Sequence, residues 1–136
     1  MKEYIWIIAC PLLFCLLDVI TGYVAAMRNG TLNSSVMREG LWNKTAEIMA
    51  IIVSVFAQSG IWVYSDGFLD VTVDIPIVTA VCAYISIYEL TSVVENVGKM
   101  NKDIGIKLVN LLGIDPSKVG LVYVGADTQK EENDGR

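Results

Sequence analysis

No histidine occurs in this chain of 136 residues, and there are only three cysteines and three prolines. Without histidine there is no imidazole base for a Ser-His or Cys-His nucleophile, and no histidine-built metal site. Charge is scarce as well. Asp, Glu, Lys and Arg make up 18% of the residues, against about a quarter in an ordinary soluble domain. The balance is acidic, with 10 Lys and Arg against 15 Asp and Glu and a net charge of −5. A nucleic-acid binder needs a basic face, which this composition does not supply. A glycine-rich phosphate loop is missing too, since Gly98 and Gly105 lack the required pattern and basic partner. Paired carboxylates could suggest glycosidase chemistry, but nothing here builds a water-filled cleft around a sugar. The expectation is a chain that is not an enzyme and binds no cofactor. What the chain does have is apolar surface: 54% hydrophobic residues and a mean hydropathy of +0.52.

The apolar residues are clustered, and the clusters have membrane length. Tyr4–Met27 contains one charge, Asp18. Ile48–Ser65 contains none and extends backward through Glu47 and Ala46. Pro76–Val94 contains one, Glu89. A helix needs about 20 mostly apolar residues to cross roughly 30 Å of hydrocarbon. A soluble helical bundle would show a wide polar face. In Ile48–Ile61 the only clearly polar side chains are Ser54, Gln58 and Ser59. A cleaved signal peptide would have a shorter apolar run after a basic start. Here Lys2 sits beside Glu3 and the run continues past Asp18.

The expected fold is all-α: an integral membrane protein with three transmembrane helices plus short amphipathic helices. The spans are placed at about 4–27, 46–65 and 76–94. Asn29-Gly30 ends the first. Asn33, Ser34 and Ser35 offer N-caps for a short separate helix toward Trp42. Pro11 should kink helix one, Gly67 ends helix two, and Pro76 suits the first turn of helix three. An amphipathic segment at 101–112, built on Ile104, Leu108, Leu111 and Leu112, stops at Gly113-Ile114-Asp115-Pro116. Residues 1–126 then form one membrane domain, and 127–136 a polar, disordered tail.

Charge sets the orientation. Arg28, Arg38 and Lys44 lie between spans one and two, against Glu39. Asp66, Asp70 and Asp74 lie between spans two and three, and Lys99, Lys102 and Lys107 follow span three against Asp103. Basic residues near helix ends stay cytoplasmic, so the N-terminus is expected outside and the C-terminus inside. Lys2 and the α-amino group oppose this weakly.

Each span carries a narrow stripe of small or polar residues. The stripes are Cys15, Asp18, Gly22 and Ala25; Glu47, Ala50, Ser54 and Ala57 with Gln58 alongside; and Thr79, Cys82, Ser86 and Glu89. Such stripes let helices approach and bond, either within one subunit or between subunits. Three in one small protein are expected to exceed what a monomer can hide, which favours homo-oligomers. Asp18 is the sharpest feature, because an unpaired carboxylate inside a membrane is expensive. Desolvation disfavours its charge, so Asp18 is a candidate trigger, neutral in a helix contact and ionised on meeting water. Glu47, Glu89 and Glu95 are expected at membrane edges near Lys44 and Lys99, solvated or in rim ion pairs. Cys10, Cys15 and Cys82 read as small buried residues, neither disulfide nor metal set.

In order along the chain come Asp18-Val-Ile-Thr-Gly22, Ala25-Ala26, Gly30, Ser34-Ser35, Arg38-Glu39-Gly40 and Lys44, then Tyr88-Glu89-Leu-Thr-Ser92-Val-Val-Glu95-Asn96. This ordered set, with three apolar segments between, resembles the small phage holins of the toxin-secretion and phage-lysis type, found in phages of Gram-positive bacteria and beside clostridial toxin genes. The similarity covers roughly residues 12–112. Asp18, Gly22, Gly30, Gly40, Lys44, Glu89, Ser92, Glu95 and Asn96 match the family pattern. The chain departs from it at Gly98-Lys99-Met100-Asn101, where members often have a proline-containing turn. The resemblance implies a protein of the bacterial cytoplasmic membrane that oligomerises into lesions. These would release a cell-wall hydrolase (an endolysin) or a toxin, without required direct binding, and so permit host lysis. The other roles it leaves open are an antiholin, which is also a possible partner, a small regulatory membrane subunit, and an ion channel.

Overall fold

The computed structural model describes residues 2–65 and 76–114. The expectations for Asp66, Gly67, Asp70, Asp74, Asp115-Pro116 and the 127–136 tail lie outside the described residues. Within them there are four helices and no strand: α1 Lys2–Arg28, α2 Ser34–Tyr64, α3 Ile77–Met100 and α4 Lys102–Leu112. The first three are long and apolar enough to cross a membrane, over Ile5–Arg28, Ser34–Tyr64 and Ile77–Met100. Their outward side chains are apolar and exposed, among them Leu16, Val53, Phe56 and Ile87. In water such a surface would aggregate. In a bilayer it is the face turned to lipid, and the chain is an all-α multi-pass membrane protein.

Local chemistry places the helix ends. Gly30, at φ 65°, turns the chain after α1. Asn33 caps α2 by accepting a bond from the Ser35 N–H at 2.9 Å. Pro76 caps α3 from just outside its first turn and offers no side-chain bond. That bond comes instead from α2: the Gln58 Oε1 accepts from the Ile77 N–H at 2.8 Å, tying those two helix ends together. Pro11 is accommodated inside the continuous α1, where it is buried.

Two helices differ from the sequence expectation. No short helix ends near Trp42; the chain runs unbroken from Ser34 to Tyr64 as one helix of 31 residues. Asn43, Lys44 and Thr45 lie between the two expected helices, but polar residues do not break a helix, and no proline interrupts this stretch. Helix α3 likewise continues past Val94 to Met100. Its last turns carry an i,i+4 pair, Glu95 with Lys99 at 2.8 Å, which supports the helix there.

Helix α3 is the centre of the molecule. It packs against α1, α2 and α4, while α1 and α2 touch each other little. Cys15, Ile51, Val78, Cys82 and Ile85 form the apolar core where α1, α2 and α3 meet. A second, smaller cluster joins Val94 to Val109 of α4. Only Asn101 separates α3 from α4, and its side chain caps α4 by accepting from the Asp103 and Ile104 N–H groups.

Candidate functional site: a charged joint between three spans

Three ionisable side chains lie at one level of the bundle. Asp18 comes ten residues before the end of α1, Lys44 ten after the start of α2, and Glu89 eleven before the end of α3. At 1.5 Å per residue each is roughly 15 Å from the end of the bundle that holds the α1–α2 turn. The register of the helices therefore brings one cation and two carboxylates together across three elements.

Lys44 is the hub. Its Nζ lies 2.9 Å from the Asp18 Oδ2 and donates to both oxygens of Glu89. Glu47, one turn along α2, is 3.7 Å away. The outer contacts complete the network. The Asn96 Nδ2 donates to the Asp18 Oδ1 at 2.8 Å, and the Cys15 thiol donates to the Glu47 Oε2 at 3.3 Å. Glu89 is wholly buried, at 0% exposure. Taking charges out of water costs several kcal/mol per ion unless they are paired and hydrogen-bonded. Here they are: among the described residues no buried side-chain nitrogen or oxygen lacks a hydrogen-bond partner.

Several sequence expectations need correction. Lys44 is not a loop charge; it is part of the interior of α2. Glu89 is not solvated: it pairs with Lys44 and is the most deeply buried ionisable group of the site. Glu95 does form a rim pair, with Lys99. Asp18 is not an unpartnered carboxylate, because the Lys44 ammonium stands 2.9 Å from its Oδ2. The stripes are also redrawn. On α2 the buried positions are Ile51, Ser54 and Gln58, with Ala50 and Ala57 exposed. On α3 Cys82 and Glu89 are buried and Ser86 is half-buried, whereas Thr79 is exposed. Cys10 is exposed on α1, unlike Cys15 and Cys82.

The α1 stripe is spent inside the subunit. Cys15 and Ala25 are buried and Gly22 half-buried. A Cβ built on Gly22 would stand 3.3 Å from the Asn96 Nδ2, a tight contact. Ser54 bonds the Ile51 carbonyl and Ser86 the Cys82 carbonyl. The subunit thus hides its polar lines by itself, and leftover polar surface is no argument for oligomers. The remaining family-pattern residues do simpler work. Gly30 makes the turn, Ser92 bonds back to the Tyr88 carbonyl, and Gly40 meets nothing within 4 Å. Gly40 lines a cleft of about 620 Å³ between the diverging halves of α1 and α2, with Gly22, Ala26, Met37, Lys44 and Asn96.

Cys15, Glu47 and Glu89 hold their ligand-type atoms within 4.8 Å of one another, close enough to share a metal ion. The Lys44 ammonium already contacts both carboxylates, so the position a cation would take is filled by the chain's own. The sequence pointed to Asp18 and Glu89 but left their partners open. The signal for Lys44 and Asn96 was their place in the family pattern.

Comparison with known proteins agrees with this architecture. No curated protein and no solved structure matches the chain. The pattern of the bacteriophage holin family matches residues 2–114, which takes in all four helices and every residue of the charged joint. Holins are membrane lysis proteins and not enzymes, and by this match over most of its length the chain belongs to the bacteriophage holin family.

Proposed function

We propose that this holin-type lysis protein assembles in the bacterial cytoplasmic membrane, many copies together, into lesions wide enough to pass a cell-wall hydrolase or toxin. Three spans cannot enclose a wide hole, so association is required. A lesion also needs a wall that meets water, and the closed subunit turns its charged line inward. The observation that carries the reading is the inward network of Asp18, Lys44, Glu47 and Glu89. In the sealed membrane these groups satisfy one another. When α2 moves away from α3, each regains water only if a lesion supplies it. Helix α2 is the element to move, because it packs little against α1. The charged joint thus favours two situations, closed and dry or open and wet, and disfavours a half-open subunit in lipid. The N-terminus lies outside and the C-terminus inside, so the α1–α2 turn and α4 face the cytoplasm.

The test is expression in a bacterium carrying a cytoplasmic cell-wall hydrolase, with membrane potential and hydrolase release followed together. The expected result is a sudden loss of potential followed by release of the hydrolase. Normal growth and intact potential at high membrane abundance would overturn the proposal. A protein that only delays lysis by another would be an antiholin. Selective ion flux with no passage of the hydrolase would make it a channel.

A further inference from the structure

Helix α4 has an amphipathic sequence, but the face it buries is not its most apolar one. Against α3 it sets Gly105 and Val109, both buried, with Leu108 partly buried. Gly98 of α3 is buried as well, and glycines on both helices let the backbones come close. The rest of the apolar arc stays uncovered: Ile104 is 48% exposed, Leu112 43% and Leu111 81%. At 100° per residue these three lie on one side of the helix, adjoining the α3 contact. Asn110, Asp103 and Lys107 form a polar sector turned away from the α3 contact, with Lys107 bordering Leu111; Lys102 starts the helix, and Ile106, 40% exposed, stands outside the arc.

Position decides what meets that arc. One residue, Asn101, links α4 to a spanning helix. An extended residue reaches about 3.5 Å, so α4 begins within a few ångströms of the end of the span. Val109 packs with Val94, so α4 folds back along α3 toward the bilayer and not away from it. We infer that α4 is an interfacial helix, with Ile104, Leu111 and Leu112 seated among the acyl chains of an anionic leaflet and Lys102 and Lys107 at its headgroups. An apolar side in lipid with basic residues at the phosphates is the pattern of an amphipathic helix at the membrane interface, here braced against the end of a span. The inference rests on the membrane spans and holds whether or not the protein forms lesions.

The whole chain, reconstituted in phosphatidylglycerol vesicles whose lipids carry a photoreactive acyl chain, tests it without labelling the protein. Adducts are mapped by mass spectrometry, with the exposed residues of α1 as internal positive control. Adducts at Ile104, Leu111 and Leu112, and none at Asn110, are expected. Labelled α1 with an unlabelled α4 would overturn the inference, as would crosslinks from α4 to a second copy or to the residues after 114. Lys102→Gln and Lys107→Gln should each lower α4 adducts up to about fivefold in phosphatidylglycerol and leave them unchanged in phosphatidylcholine. Equal loss in both lipids would mean that the lysines act on folding, and would remove the headgroup part of the inference.

Discussion

Lys44 holds together side chains from all three spans, so its removal should cost more than any neighbouring change. Lys44→Met leaves Glu89 buried and Asp18 without a cation. Breaking a buried pair from one side typically costs about 3–5 kcal/mol. The double variant Lys44→Met, Glu89→Gln removes the stranded charge and should recover a large part of that loss. Thermal unfolding in detergent, run on both variants, checks it; an additive double variant would mean that the two side chains do not act as a pair. Asp18 behaves differently. Asp18→Asn keeps the size and can still bond Asn96, and Lys44 keeps Glu89, so insertion and stability should stay near wild type. Asp18→Lys places a second ammonium where Lys44 sits at 2.9 Å from the carboxylate, and should fail to fold or lyse. At this scale the sequence was half legible. A carboxylate in an apolar run is conspicuous, but a lysine ten residues into a helix looks like a loop charge until the register of three helices is known.

Gly22 shows how an element can depend on one hydrogen atom. The α1–α3 contact is close because Gly22 faces Asn96, the partner of Asp18. Gly22→Ala needs Asn96 to yield by a few tenths of an ångström. Gly22→Leu must displace it, at about 1–3 kcal/mol for overpacking, and breaks its bond to Asp18. Leucine is welcome in lipid, so membrane abundance should hold while lysis timing shifts, and Asn96→Ala should shift it in the same direction. Unchanged timing in both would separate the contact from lesion formation. Asn101 has the complementary role. Asn101→Ala removes a cap worth roughly 1 kcal/mol and should expose α4 to protease sooner while leaving the spans intact. The spans were legible from hydropathy alone, because apolar length is a property of sequence. The extension of α2 through Lys44 was not, because polar residues lower the hydropathy of a stretch without interrupting its helix. Nor was the buried face of α4, because Gly105 adds nothing to apolar periodicity yet is buried against α3.

For the molecule as a whole, orientation rests on fewer charges than a count along the chain suggests. Lys44 belongs to the buried joint, which leaves Arg28 and Arg38 near the α1–α2 turn and Lys99, Lys102 and Lys107 at the far end of α3. Lys99 is paired with Glu95, but a basic residue beside a span still resists translocation, and acidic residues contribute little to that rule. Both basic groups are at the end of the bundle that carries the α1–α2 turn, so they agree with each other. The opposing terms are Lys2 and the α-amino group. Cysteines placed at Thr31, Asn101 and Asp70 read the outcome with a membrane-impermeant maleimide, wild type giving the background from Cys10, Cys15 and Cys82. The Asp70 position should react in intact cells, and Thr31 and Asn101 only after permeabilisation. The reverse pattern would invert the protein and place the joint nearer the outer surface. A sharper form changes the charges themselves. Asp70→Lys with Asp74→Lys makes the segment between α2 and α3 basic, so that it competes with Arg28 and Arg38 for the cytoplasm. Labelling should then become mixed, with a fraction of Thr31 sites reactive from outside, and lysis should fall in proportion. If labelling stays uniform, Lys99 in the last turn of α3 and Lys102 and Lys107 in α4 hold the orientation, and neutralising Lys102 and Lys107 in the same background should release it.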